Sequence, residues 1–414
     1  MNKVIIVGGG AAGMLSGIIA ARNGCEVFLY EKNEKLGKKL FITGKGRCNV
    51  TNNCDPEELL RAVKSNNKFL YSAFYSFNSQ DMMALLEEAG VPLKTERGNR
   101  VFPVSDHSSD IIRGLERLLR KYNVHISLHS QVSEILTENG RAAGIVLKNG
   151  TVQKSDSVII ATGGLSYPTT GSTGDGYRFA TDTGHSVTDC IPSLVPLTVS
   201  EDYIPQMQGL SLRNVELTIK SGKKILYRDF GEMMFTHTGI TGPLVLSASA
   251  VIGRRLQKEG HLEAFIDLKP ALSFEQLDER ILKEFENSRN RQFKNVIDVL
   301  FPASLTPVII GLGGIPADKV IHEISREERQ HFASVVKAFP FTIIGLGRYS
   351  EAVITKGGIS VKEIQPGTME SKKISGLYFI GELLDLDALT GGFNLQIAWS
   401  TAYLAGTAVS ESNI

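Results

Sequence analysis

Residues Lys3–Lys32, "KVIIVGGGAAGMLSGIIAARNGCEVFLYEK", decide the fold. Lys3–Val7 is a short apolar run, as a strand buried on both faces of a parallel sheet requires. Helical periodicity is expected from Ala11 to about Asn23, with Gly24 as the stop. A second apolar strand, "EVFLYEK", ends at Glu31. Between the first strand and the helix lies Gly8-x-Gly10-x-x-Gly13. That spacing is weak alone, but here it stands in the strand–turn–helix–strand order that a dinucleotide-binding βαβ unit needs. The first glycine permits the turn, the second lets a pyrophosphate approach the backbone, and the third lets helix and strand pack closely. Amide groups at the helix start then face the phosphates. Glu31, about twenty residues on, is placed to accept from ribose hydroxyls.

Three later segments choose between FAD and NAD. A meander with Asn139-Gly140 and Asn149-Gly150 turns is expected between Val124 and the apolar strand "SVIIATGG" (Ser157–Gly164). "GLYFIGELLD" (Gly376–Asp385) reads as a buried strand with a glycine-rich end, and "GGFNLQIA" (Gly391–Ala398) opens a long terminal helix. This order is that of an FAD domain. The N–H groups from about Asn394 to Ile397 would face the flavin N1 and O2 edge, where the helix dipole favours reduced-flavin charge.

The chain has 414 residues, enough for two or three domains. Its formal net charge of +1 gives no sign of a nucleic-acid or anionic-membrane partner. The four cysteines form no CxxC pair, which argues against a zinc ribbon or secreted disulfide framework and fits a reducing cytoplasm. No stretch approaches a membrane span, and the apolar start reads as a fold motif rather than a signal peptide. No His/Cys/carboxylate spacing supports a metal. From Leu194 the texture becomes β-rich, and from Phe274 to about Ile324 helical and charged. The expected division is 1–193 with 355–414 for the FAD-binding domain, 194–272 with 334–354 for a β-rich domain, and 273–333 for a helical insert.

The chain resembles the YhiN/BaiN-like flavoproteins, which include aminoacetone oxidase-like enzymes. The likeness rests on "VGGGAAGM", "EKNEKLGKKLFITGKGRCNVTN", "ATGGLSYPTTGSTGDGY", "FTHTGITGP", "TKGGISVKEI" and "TMESKKISGLYFIGELLDLDALTGGFNLQIAWSTAYLAG". It implies an α/β Rossmann-like FAD domain of the two-dinucleotide-binding type, split by an inserted β-barrel-like domain that carries a helical insert. It also implies a cytoplasmic FAD-dependent oxidoreductase with non-covalent FAD, and NAD(P)H as a transient substrate. Leu389 and Phe393 stand where many relatives have Arg and Tyr.

Cofactor contacts are expected from Gly8, Gly10, Ala11, Ala12, Gly13, Glu31 and Lys32, and from Val132, Ala161, Thr162, Gly163 and Gly164. The C-terminal contributors are Gly381, Glu382, Gly392, Asn394, Leu395, Gln396 and Ile397. The loop "GKKLFITGKGRCNVTNN" (Gly37–Asn53) combines cations, glycines and amides. Lys39 and Arg47 are expected as phosphate counter-charges, with Thr43, Gly44, Cys48 and Asn49 near the cofactor. His237 is the acid–base candidate because its ring titrates near neutrality. Lys356 in "TKGGIS" is the second, placed to offset reduced-flavin charge.

The leading function is hydride transfer between a small organic substrate and flavin N5, with NAD(P)H or oxygen completing the cycle. One alternative is a dithiol flavoprotein using Cys48 and Cys54, although the spacing is C-x5-C and no second nucleotide fold is evident. The other is a non-catalytic or RNA-associated flavoprotein.

Overall fold

The computed structural model describes residues 2–411. The chain divides into two compact units, Met1–Ser193 with Arg348–Ile414, and Leu194–Gly347. The sequence reading extends the β-rich segment to residue 354, whereas Arg348 onward groups with the first unit.

The first unit is built on a five-stranded parallel sheet. Its strands are β1 (Lys3–Val7), β2 (Glu26–Tyr30), β3 (His125–Ser127), β4 (Ser157–Ile160) and, late in the chain, β6 (Leu377–Phe379). Their order is β6-β4-β1-β2-β3. Val4–Val7 pair with Ser157–Ile160 on one side, and Lys3–Val7 with Glu26–Tyr30 on the other. Val4, Ile5 and Ile6 are fully buried, as a central strand covered on both faces must be. The helix α1 (Ala11–Arg22) runs from β1 back to β2. The last helix, α3 (Phe393–Glu411), packs against it. Gly406 permits that approach, since a Cβ there would stand 2.8 Å from the Ser16 carbonyl oxygen.

Between β2 and β3 come the short helix α2 (Lys38–Ile42) and a small three-stranded sheet of Thr51–Asn52, Arg100–Pro103 and Leu93–Glu96. A helix spans Ser108–Lys121; His107 precedes it without a side-chain cap, and the Ser108 hydroxyl donates to the Phe41 carbonyl at 2.6 Å. The meander is Val132–Glu138, Arg141–Leu147 and Val152–Lys154, with its turns at the two Asn-Gly steps. Strand β5 (Ile354–Ile359) pairs antiparallel with Val187–Ser193.

The second unit contains a closed six-stranded barrel, in the order Leu197–Val199, Gly239–Thr241, Lys224–Phe235, Ser211–Ser221, Leu262–Asp267, Phe339–Leu346. Its helical part includes Phe274–Glu286 and Arg326–Lys337, each opened by a serine capping box. The helices share one hydrophobic core with the barrel: Phe293 and Phe332 meet edge-to-face, and Phe339 of a barrel strand lies in the same cluster.

Candidate active site

The C-terminal ends of parallel strands are where an open α/β sheet leaves a crevice for ligands. Here the ends of β1, β2 and β4 and the starts of α1, α2 and α3 line one open cleft, of about 1340 Å³ when the solvent-open space is counted, drawn wholly from the first unit. Its lining crosses the sheet edge from Glu31–Asn33 and Ser130–Val132, past Gly8–Ala12, to Asn394, Leu395, Ile397 and Ala398. That is an elongated track with a nucleoside end and a second end at α3.

The β1–α1 turn is fixed by close packing. Gly8 has φ +109°, and a Cβ there would stand 2.6 Å from the Ala161 carbonyl oxygen. A Cβ on Gly10 would meet nothing within 4 Å, so this position opens onto free space. The start of α1 has no side-chain cap and no acidic residue in its first turn. Its leading N–H groups are therefore left for an anion. Glu31 is buried at the end of β2; its carboxylate accepts from the Gly9 N–H at 2.7 Å and the Asn33 N–H at 2.8 Å. Those bonds fix a carboxylate where ribose hydroxyls would donate. Thr162 also lines the cavity, and its hydroxyl is buried with no hydrogen-bond partner among the described residues. An uncapped helix start, an oriented acid and an orphaned hydroxyl together fit FAD.

Of the expected cofactor residues, Gly8, Gly10, Ala11, Ala12, Glu31, Lys32, Lys39, Thr43, Val132, Ala161, Thr162, Gly163, Glu382, Asn394, Leu395 and Ile397 line this cavity. Both lysines are already paired. Lys32 meets Asp175 at 2.7 Å, and Lys39 meets Glu382 and the Ser166 hydroxyl. Asp175 is thus part of the lining.

The others lie elsewhere. Gly13, Gly164, Gly381 and Gly392 pack tightly around the cavity without lining it; a Cβ on Gly392 would stand 2.4 Å from the Thr51 backbone. Arg47, expected as a phosphate counter-charge, does not line the cavity: its guanidinium stacks on Phe102 and bonds Glu96 and Asp106. Gly44 and Asn49 stay in that loop, in contact with each other. Cys48 is fully buried in the left-handed region (φ 58°), and burial pushes its thiol up to about 12. Gln396 faces away from the cavity into a buried network with Thr51, Ser400 and the Phe77 carbonyl. Lys356 is buried against Asp387 at 3.2 Å. His237 belongs to the second unit, on a turn where its Nδ1 lies 3.2 Å from Gln208 Oε1. Sequence reading missed Asn33, Ser130, Gln131, Phe179, Ile354 and Leu386, all of which line the cavity. Only Asn33, two residues beyond the ribose acid, carried a signal.

Comparison with known proteins identifies the lineage. The family described as "HI0933-like protein Rossmann domain" matches residues 2–408. The chain belongs to the HI0933-like family. A 3-dehydro-bile acid delta(4,6)-reductase of Clostridium scindens is 30% identical over 414 residues, covering 99% of this chain and 100% of the relative. A ribosomal RNA dihydrouridine synthase of Haemophilus influenzae is 33% identical over 415 residues, 99% of each. Among solved structures, a 3-ketosteroid delta1-dehydrogenase from Sterolibacterium denitrificans covers 100% of both chains at 14% identity with TM-score 0.56, which shows the fold alone. The HI0933-like assignment makes this chain a member of an FAD-dependent oxidoreductase family with a Rossmann-type FAD domain, as the sequence resemblance implied. Among the described residues no helix is long and apolar enough to cross a membrane, and no cluster of His, Cys, Asp and Glu could hold a metal.

Proposed function

We propose that the protein is an FAD-dependent reductase that saturates a carbon–carbon double bond conjugated with a carbonyl in a small organic substrate. The observation that carries this is the cavity, with a nucleoside end at Glu31 and a far end capped by the start of α3. The relatives narrow the chemistry. A delta(4,6)-reductase acting on a 3-dehydro-bile acid and a synthase making dihydrouridine are both named for reduction of such a bond. Bound FAD would supply hydride transfer at N5.

The chain's residues do the rest. Glu31 holds the adenosine ribose, and the α1 start from Gly10 to Ala12 receives the pyrophosphate. The α3 start, from Asn394 to Ile397, favours the charge of reduced flavin. Asn394 is locked for this task, because its amide bonds both the N–H and the carbonyl of Ala388 at 2.9 Å. NAD(P)H is the proposed reductant: one hydride from it and one proton from water end on the two carbons of the substrate bond.

A second reading, reduction of uridine in RNA, is favoured by the names of the Haemophilus influenzae relative and a 31% identical Escherichia coli one. Charge disfavours it. The second unit carries equal numbers of basic (Lys, Arg) and acidic (Asp, Glu) residues, without the excess that phosphate binding calls for.

The test is anaerobic stopped-flow on the flavin-loaded protein. NADH or NADPH should bleach the flavin, and a 3-oxo-Δ4 steroid should restore the oxidised spectrum faster than a uridine-bearing rRNA fragment. Faster recovery with the RNA would favour the second reading, and failure to take up FAD would sink both.

A further inference from the structure

Behind the cavity wall lies a buried ion pair that the cofactor contacts do not use. Lys356 is 9% exposed and Asp387 is fully buried. The Lys356 Nζ stands 3.2 Å from Asp387 Oδ2, and Asp387 Oδ1 has no hydrogen-bond partner among the described residues. A buried pair whose carboxylate is only half satisfied is weak as a stabilising device. Two apolar side chains of similar size would serve the core as well.

Its placement suggests another use. Side chains alternate along a strand, so Lys356 of β5 points to the same side as Ile354, which lines the cavity. Asp387 directly follows Leu386, which also lines it. The loop carrying Asp387 is held from both sides. Its carbonyl accepts from the Lys64 N–H at 2.7 Å, and the next residue, Ala388, is clamped by Asn394 at the start of α3. The pair is thus fixed to the end of the cavity where α3 presents its positive pole. In a dry interior a charge here acts on the cavity with little screening.

We propose that Lys356 and Asp387 form an opposed pair that sets the electron affinity of the bound flavin, with Asp387 as the positioning residue. The ammonium raises the affinity by favouring the anionic reduced ring. The carboxylate holds the ammonium on the cavity side and offsets part of its field. This rests on the FAD reading above.

The test is the midpoint potential of the flavin in the loaded protein, read by spectral titration against redox dyes. Lys356→Met should shift the potential down and Asp387→Asn should shift it up. Purely structural roles would not give opposite signs, so shifts of the same sign, or none with flavin retained, overturn the proposal. Should a single variant fail to fold, the double variant Lys356→Met/Asp387→Leu replaces the pair with apolar groups of similar volume. Its potential should lie below wild type, because the proposal sets the ammonium on the cavity side of the carboxylate. A wild-type potential in the double variant overturns the proposal equally. Absence of flavin from the wild-type protein would instead sink the FAD reading itself.

Discussion

Gly13 rests directly on Gly8: a Cβ on Gly13 would stand 1.8 Å from the Gly8 carbonyl oxygen. Neither partner is a flexible side chain, so the backbone itself would have to move. That movement would displace the β1–α1 turn from Ala161 and tilt the uncapped helix start. Gly13→Ala should cost at least the ~1–3 kcal/mol typical of overpacking. It should also release FAD more readily, as seen by a lower unfolding midpoint and a higher dissociation constant. Wild-type values for both would show that the turn is looser than the packing implies.

Glu31 is held by two backbone N–H groups, and Asn33, two positions on, also reaches it with its side-chain amide at 2.7 Å. Glu31→Gln retains the shape and most of these contacts but loses the charge that strengthens a bond from a ribose hydroxyl. Charge-assisted bonds contribute ~1.5–3 kcal/mol, so FAD affinity should fall ~10–100-fold. Equilibrium titration of the apoprotein measures this, and an unchanged constant would remove Glu31 from the ribose.

Arg47 is tied to Glu96 and Asp106 outside the cavity lining. Bonds to Glu96 and then Asp106 raise its guanidinium, while Arg47 lowers Glu96, and Lys94 and then Arg47 lower Asp106. Carboxylates lowered in the fold lend stability above their unfolded values, and that stability is lost as pH falls through the folded ones. The thermal midpoints of wild type and Arg47→Ala should therefore differ at neutral pH, begin to approach one another below the ordinary carboxylate values of ~4, and converge once pH has passed below the lowered folded values. FAD retention at pH 7 should change little in Arg47→Ala. A large loss of FAD would return this arginine to the phosphates.

How much was legible follows from the range of each signal. β1, α1 and β2 were readable because an apolar run, a glycine turn and an acid lie within thirty residues and act on one another locally. The start of α3 was readable for the same reason: "TGGFNLQ" is a local motif. Gln396 and Arg47 stay out of the cavity lining because their partners, Thr51 and Ser400 in one case and Glu96 and Asp106 in the other, are set by tertiary packing. Lys39 does line the cavity, but its partner Glu382, 343 residues away, was equally beyond local reading. A lysine in a glycine-rich loop looks alike whether it meets phosphate or a distant carboxylate. The inserted unit was visible as a change of texture, but barrel closure depends on pairing Leu197–Val199 with both Gly239–Thr241 and Phe339–Leu346. No local pattern encodes those pairings.

Cys48 and Cys54 test the dithiol alternative. Burial raises the Cys48 thiol to about 12, and burial followed by the nearby Glu58 and Asp55 carboxylates raises Cys54 to about 12 as well. The thiolate is the redox nucleophile, and neither residue forms it to a useful extent at neutral pH. In the native protein at pH 8, Cys48 should resist alkylation until the chain is unfolded. Cys54 should react far more slowly than a free thiol. Cys54→Ser should retain full turnover. Cys48→Ala should keep FAD and turnover while losing some stability, because it leaves a small void under Thr43. Rapid labelling of both thiols, or loss of turnover in Cys54→Ser with flavin retained, would restore the dithiol mechanism.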